Sequence, residues 1–234
     1  MIYVSSAVIK DQPAWKTSIE LFNHGIKNIE LSGGKYDEDQ LINLKKLKSK
    51  INFQLHNYFP PPLEPFVFNL ASLSPDVVNR SLQHVETALQ FSVELDCPRF
   101  SFHAGYLIDP QISEIGSNIK NRKIYDRKEA IKIFIENINF ISNRASKLGV
   151  SLLIENNVIS FKNYKEFKCN PFLMVETDEC LYVMDKTPSN INLLIDVAHL
   201  NVSSKTMGFD KKLFVQNCYD HIQAYHLSDN KGTK

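Results

Sequence analysis

Cysteine is scarce and scattered. The four residues, Cys97, Cys169, Cys180 and Cys218, form no CxxC pair, so neither a disulfide framework nor zinc-finger spacing is present. Excess charge of either sign is nearly absent: 27 Lys and Arg stand against 26 Asp and Glu, a formal +1. A protein that works by gripping phosphate backbones usually carries more positive charge, which makes nucleic acid an unfavoured partner. No stretch approaches the roughly 18 apolar residues of a membrane span, and no membrane partner is expected. Met1-Ile-Tyr-Val has neither the basic region nor the apolar core of a signal peptide, so the cytoplasm is the expected compartment. No GxGxxG follows the first predicted strand, which leaves a nucleotide-binding open sheet without support. Internal repeats, low-complexity tracts and linkers are also missing.

What is present is a regular alternation. Hydrophobic residues make up 43% of 234 residues, enough for a sizeable core. Predicted strands cover Ile2–Val8, Asn28–Leu31, Ile51–Leu55, Phe100–Phe102, Val150–Glu155, Ile191–Asp196 and Ile222–His226. Predicted helices run from Ala14 to His24, from an Asp37 cap to Lys48, from Pro75 to Leu95, and from Arg127 to Leu148. Two more run from Val175 to Met184 and from Asp210 to Cys218. The signals are β-branched runs for strands, and caps with a first-turn proline for helices. Lys45, Lys46, Lys48 and Lys50 read as the solvated face of a helix near its negative end. Long loops are expected over Pro60–Ser74, Tyr106–Tyr125 and Asn156–Asn170. Strand–helix units of about 30 residues imply a parallel sheet. Their number favours a (β/α)8 TIM-type barrel, a single domain over residues 1–234, over an open doubly wound sheet.

A parallel sheet gathers the carboxyl ends of its strands on one face. The fifth, sixth and seventh strands end in Glu155, Asp196 and His226. Two carboxylates and an imidazole suit Mn²⁺, Co²⁺, Mg²⁺ or Zn²⁺; the alternative is a polar network closing the barrel top. His56 and His103 end the third and fourth strands, and His199 follows Asp196. These three are candidates for a second metal or for a polyhydroxylated substrate. Glu30, Asn57 and His199 are candidate substrate contacts. His24, His84 and His221 read as structural.

The strings LHNYFPPP, FHAGY, LLIENN, LLIDVAHLN and YHLSDNKG resemble the xylose-isomerase-like TIM-barrel superfamily along essentially the whole chain. That superfamily includes sugar-phosphate isomerases and epimerases and the endonuclease IV-type apurinic nucleases. In its ketose epimerase branch a Glu, an Asp, a His and a final Glu hold one divalent ion. Glu155, Asp196 and His226 match the first three, and His199 matches a substrate contact. In the nuclease branch His56 and His103 match ligands of a further zinc shared through Glu155, and His199 a ligand of a third. The resemblance implies a metal-dependent sugar or sugar-phosphate isomerase or epimerase. Proton transfer would be by Glu155 as base, through a metal-stabilised enediolate. A multi-zinc apurinic-site endonuclease is one alternative, and a non-catalytic sugar- or metal-binding barrel the other. The last strand and its Glu would lie beyond Lys234. The expectation is therefore a chain lacking the eighth β/α unit: either the native chain continues, or a neighbouring subunit of a homo-oligomer covers the gap.

Overall fold

A computed structural model describes residues 1–232; Lys234, the far end of the expected domain, lies outside the described residues. The first strand is shorter than its apolar run predicts. Only Val4–Ser5 (β1) is extended, and Ser6–Val8 turns into a 3-10 helix. The cause is local. The Ser5 hydroxyl accepts from the Ala7 N–H at 3.3 Å, and the Ser6 hydroxyl accepts from the Ser32 N–H at 2.9 Å. Short hydroxyl side chains here take backbone groups that a ladder would use.

Helix α1 (Ala14–Asn23) buries Ala14, Thr17, Ser18 and Leu21, the apolar stripe of a helix on a sheet. After β2 (Asn28–Ser32) the predicted long helix shrinks to α2 (Gln40–Lys45). Asp37 does not cap it. Its carboxylate accepts from the Asp39 N–H at 2.8 Å and from the Trp15 indole at 3.0 Å, an Asx turn in place of a helix start. The elements β3 (Asn52–His56), α3 (Pro75–Glu94), β4 (Arg99–His103), α4 (Arg127–Lys147) and β5 (Ser151–Glu155) agree closely with the prediction.

The loop expected over Asn156–Asn170 contains α5 (Phe161–Phe167), capped by the Ser160 hydroxyl. Then come α6 (Thr177–Asp185) and β6 (Ile191–Asp196). Helix α7 (Val197–Met207) was not predicted. Its Val, Ser and Asn content hides it, but Asp196 caps its start and Gly208, at φ +80°, ends it. Helix α8 (Lys211–Cys218) and β7 (Ile222–His226) complete the described elements.

The seven strands are hydrogen-bonded in chain order. The pairs β1–β2, β2–β3, β3–β4 and β6–β7 are parallel. The described residues therefore hold seven of the eight units of a TIM-type barrel. No helix among them is long and apolar enough to cross a membrane.

Two compact units share the chain. One comprises Met1–Pro65, Gln83–Phe102 and Asn143–Leu152. Its core includes Ile29, Leu31, Phe53, Leu55 and Phe100, all buried. The other comprises Phe66–Leu82, His103–Ser142 and Leu153–Lys234. Ile191, Leu193, Leu194 and Ile195 of β6 are buried there almost without interruption, as a strand covered on both faces requires. A second cluster of Ile108, Ile119, Ile159, Phe167, Phe172 and Val175 lies in the connections after β4 and β5. It orders segments whose sequence reads as loop.

His84 in the first unit is buried, stacks on Tyr58 with ring centroids 5.5 Å apart, and donates to the Asn57 carbonyl at 3.1 Å. Burial holds its imidazole below the usual value, outweighing the Asn57 bond that raises it. The unfolded ring, with a pKa of about 6.5, therefore takes its proton first. This contribution to stability is full above about pH 6.5 and is lost as pH falls below it. His84→Gln retains a donor without the titration. Chemical denaturation at pH 7.5 and pH 5.5 should show the wild type losing more stability than the variant. Parallel losses would show that His84 does not carry the acid sensitivity.

Candidate metal centre

β5, β6 and β7 deliver Glu155, Asp196 and His226 to the same place in the second unit. Asp196 is the register partner of His226. One ligand atom from each of the three lies within 4.8 Å of the others. The Glu155 carboxylate is the hub and is only 1% exposed. Its Oε1 is 3.2 Å from His199 Nδ1 and 3.6 Å from His226 Nδ1. Its Oε2 is 3.6 Å from His103 Nδ1. Asp196 Oδ2 lies 3.9 Å from His226 Nδ1 and 4.0 Å from His199 Nε2. Ligand bonds of about 2.0–2.2 Å set donor atoms roughly 3.0–4.2 Å apart around a shared ion. The spacing and the mixture of carboxylate oxygen and imidazole nitrogen fit a divalent metal.

Neighbouring groups fix how these side chains present themselves. Asp196 Oδ1 accepts from the His199 N–H at 2.7 Å, which leaves Oδ2 to face His226. His199 Nδ1 lies 3.1 Å from the Asn156 carbonyl as well as near Glu155. Both neighbours are acceptors, so Nδ1 carries a proton. Nδ1 of His199 is thus a donor and not a ligand atom. Its ring lies 5.4 Å from that of His103, tilted by 36°.

Three residues that shape the site escaped the sequence reading. Asn156 ties β5 to β6: its Oδ1 accepts from the Asp196 N–H at 2.7 Å. Asn157 donates to the carbonyls of Ala104, Gly105 and Leu173 at 2.8, 3.0 and 3.1 Å. Both amides stand in the LLIENN string, directly after a strand end, where backbone groups lose their ladder partners. That position was the available signal. Tyr106 packs edge-on against Phe172. Burial, together with the Glu155 charge, pushes its hydroxyl up to about 12, so the phenol is a neutral donor at physiological pH. A cavity of about 380 Å³ opens beside His103, His199 and Tyr106.

The remaining candidates belong to the first unit. Glu30 on β2 is buried and pairs in register with Gln54. His56 ends β3, with Nδ1 2.9 Å from the Ser101 hydroxyl. The Asn57 N–H donates to the Ser101 carbonyl at 2.5 Å.

These features define a TIM-type protein with a carboxylate–imidazole cluster at its strand ends. The sequence matches the family model described as Xylose isomerase-like TIM barrel over residues 17–234, and the chain belongs to that family. No curated protein sequence matches it. Several solved structures do. A D-tagatose 3-epimerase-like protein superposes with a TM-score of 0.71 at 19% identity, covering 99% of this chain and 77% of that one. An L-ribulose 3-epimerase gives 0.68 at 15% identity, over 96% and 68%. An AP endonuclease, family 2, from Brucella melitensis gives 0.63 at 16% identity, over 95% and 78%. At these identities the likeness shows the fold alone.

Proposed function

We propose that this chain is a divalent-metal-dependent sugar or sugar-phosphate isomerase or epimerase. The observation that carries the proposal is the buried Glu155 carboxylate, with Asp196 and His226 ligand atoms within 4.8 Å. A carboxylate so far from water requires close cationic or hydrogen-bonding partners. The epimerase neighbours support the sugar chemistry. Glu155, Asp196 and His226 would hold the ion, which supplies Lewis acidity toward a carbonyl oxygen. Glu155 is also the base that removes the proton from the carbon next to that carbonyl. His199, oriented by Glu155 and Asn156 through Nδ1, is the substrate contact.

The test is incubation with ketopentoses and ketohexoses in D2O, alongside a metal count. Expected are about one ion per chain, deuterium at the carbon next to the carbonyl, and a new epimer or isomer. Bound metal without exchange would point instead to a binding protein, and no bound metal would sink the proposal. One observation favours a second reading, a multi-zinc phosphodiesterase. Glu155 turns its other oxygen to His103 at 3.6 Å, so one carboxylate can serve two ions. Three zincs per chain and cleavage of an abasic-site oligonucleotide would establish that reading.

A further inference from the structure

The cavity beside the cluster bears on the rest of the substrate, and its assignment rests on the sugar-isomerase reading. Its volume of about 380 Å³ suits part or all of a small ligand. Tyr106 and Phe172 give it an aromatic wall, with ring centroids 5.4 Å apart. The lining contains Lys162, Ser160 and Asn163 but no Asp or Glu. That departs from the chain as a whole, where acidic and basic residues nearly balance.

Asn163 is the informative residue. It is only 7% exposed. Its Oδ1 accepts from the Ile119 N–H at 3.1 Å. The amide NH2 at its other end has no protein partner among the described residues and is not fully buried, so water reaches it; the residue lines the cavity. A donor of this kind bonds water until a ligand accepts from it. The Ser160 hydroxyl accepts from the Asn163 N–H at 3.3 Å, which leaves its own O–H to donate. Lys162, exposed at the rim, adds an ammonium. An amide donor, a hydroxyl donor and a lone cation, with no carboxylate among them, complement an acceptor that carries negative charge. Neutral hydroxyls, which donate as well as accept, would be served equally by Asp or Glu.

We propose that this cavity binds the anionic end, phosphate or carboxylate, of an open-chain sugar whose carbonyl end lies at Glu155. His103 and His199, which line the cavity and face Glu155, connect the two ends.

Isothermal titration of the metal-loaded full chain tests this with D-ribulose 5-phosphate, D-ribulose, a ketouronate and inorganic phosphate. At least one charged sugar should bind ten times or more tighter than the neutral one, and which of the two does so identifies the anion. Lys162→Ala, at an exposed position, should cut that preference to about threefold or less. Asn163→Asp keeps the acceptor for Ile119 but puts a carboxylate oxygen where the NH2 stood, and should abolish the preference. Equal binding of charged and neutral sugars would overturn the assignment. So would a preference that survives both substitutions, or one reproduced by inorganic phosphate alone at the Lys162→Ala variant. The two readings fail separately. Epimerisation of neutral ketoses without anion preference defeats only the cavity assignment. Anion preference without exchange in D2O defeats only the isomerase reading.

Discussion

Glu155→Gln should leave the fold intact and remove the chemistry. The substitution preserves shape at a site that is 1% exposed, so the circular dichroism spectrum should not change. The neutral amide cannot act as a base, and it is a poorer ligand than a carboxylate. Loss of a positioned base alone lowers turnover by about 10²–10⁴-fold. Weaker metal retention adds to that, because Oε1 faces His226 and Oε2 faces His103 at 3.6 Å each. Metal content and deuterium incorporation measured on the same sample separate the two effects. A variant with full metal and undiminished exchange would remove Glu155 from the centre of the site.

Asn157→Ala should be the most destabilising single change near the site. The Asn157 side chain is 3% exposed and serves three main-chain carbonyls. Two amide hydrogens reach three acceptors, so one is shared. Alanine orphans the Ala104 and Leu173 carbonyls, while the Gly105 carbonyl keeps the Leu173 N–H at 3.0 Å; at about 1 kcal/mol or more for each buried group left unmade the loss is about 2 kcal/mol or more. For a chain of this size that lowers the thermal midpoint by about 4–8 °C. The same bonds tie Ala104 and Gly105, next to His103 and Tyr106, to Leu173, next to Phe172. Affinity for sugar should therefore fall along with stability, because the cavity wall and His103 lose their common anchor. A midpoint shift under about 2 °C would show that water replaces the amide and that Asn157 is dispensable.

How much of the fold and the site is legible in the sequence is clearest at particular residues. LLIE and LLID each show a contiguous buried strand that ends in a carboxylate, AYH a half-buried one that ends in an imidazole, and parallel order then brings Glu155, Asp196 and His226 together. That inference needs only short-range patterning and the direction rule of parallel sheets. The shortened β1 and α2 were not legible. There, Ser5, Ser6, Ser32, Trp15 and Asp37 compete for backbone groups through hydrogen bonds that no periodicity records. Helix α7 was missed for a related reason, since its ends are set by Asp196 and Gly208 rather than by an apolar stripe.

The sequence by itself determined the strand–helix alternation, the parallel sheet and the donor types at its strand ends, because these are properties of neighbouring residues. Tertiary structure alone decided which atom of each donor faces which. The proton on His199 Nδ1 depends on Asn156 and Glu155, more than forty positions away in the chain. The carbonyls served by Asn157 lie on both sides of it, 53, 52 and 16 residues distant. The amide oxygen of Asn163, in the cavity lining, is taken by Ile119, 44 residues earlier. Hydrogen bonds need alignment to within a few tenths of an ångström, and only the folded backbone holds segments so far apart in sequence to that tolerance.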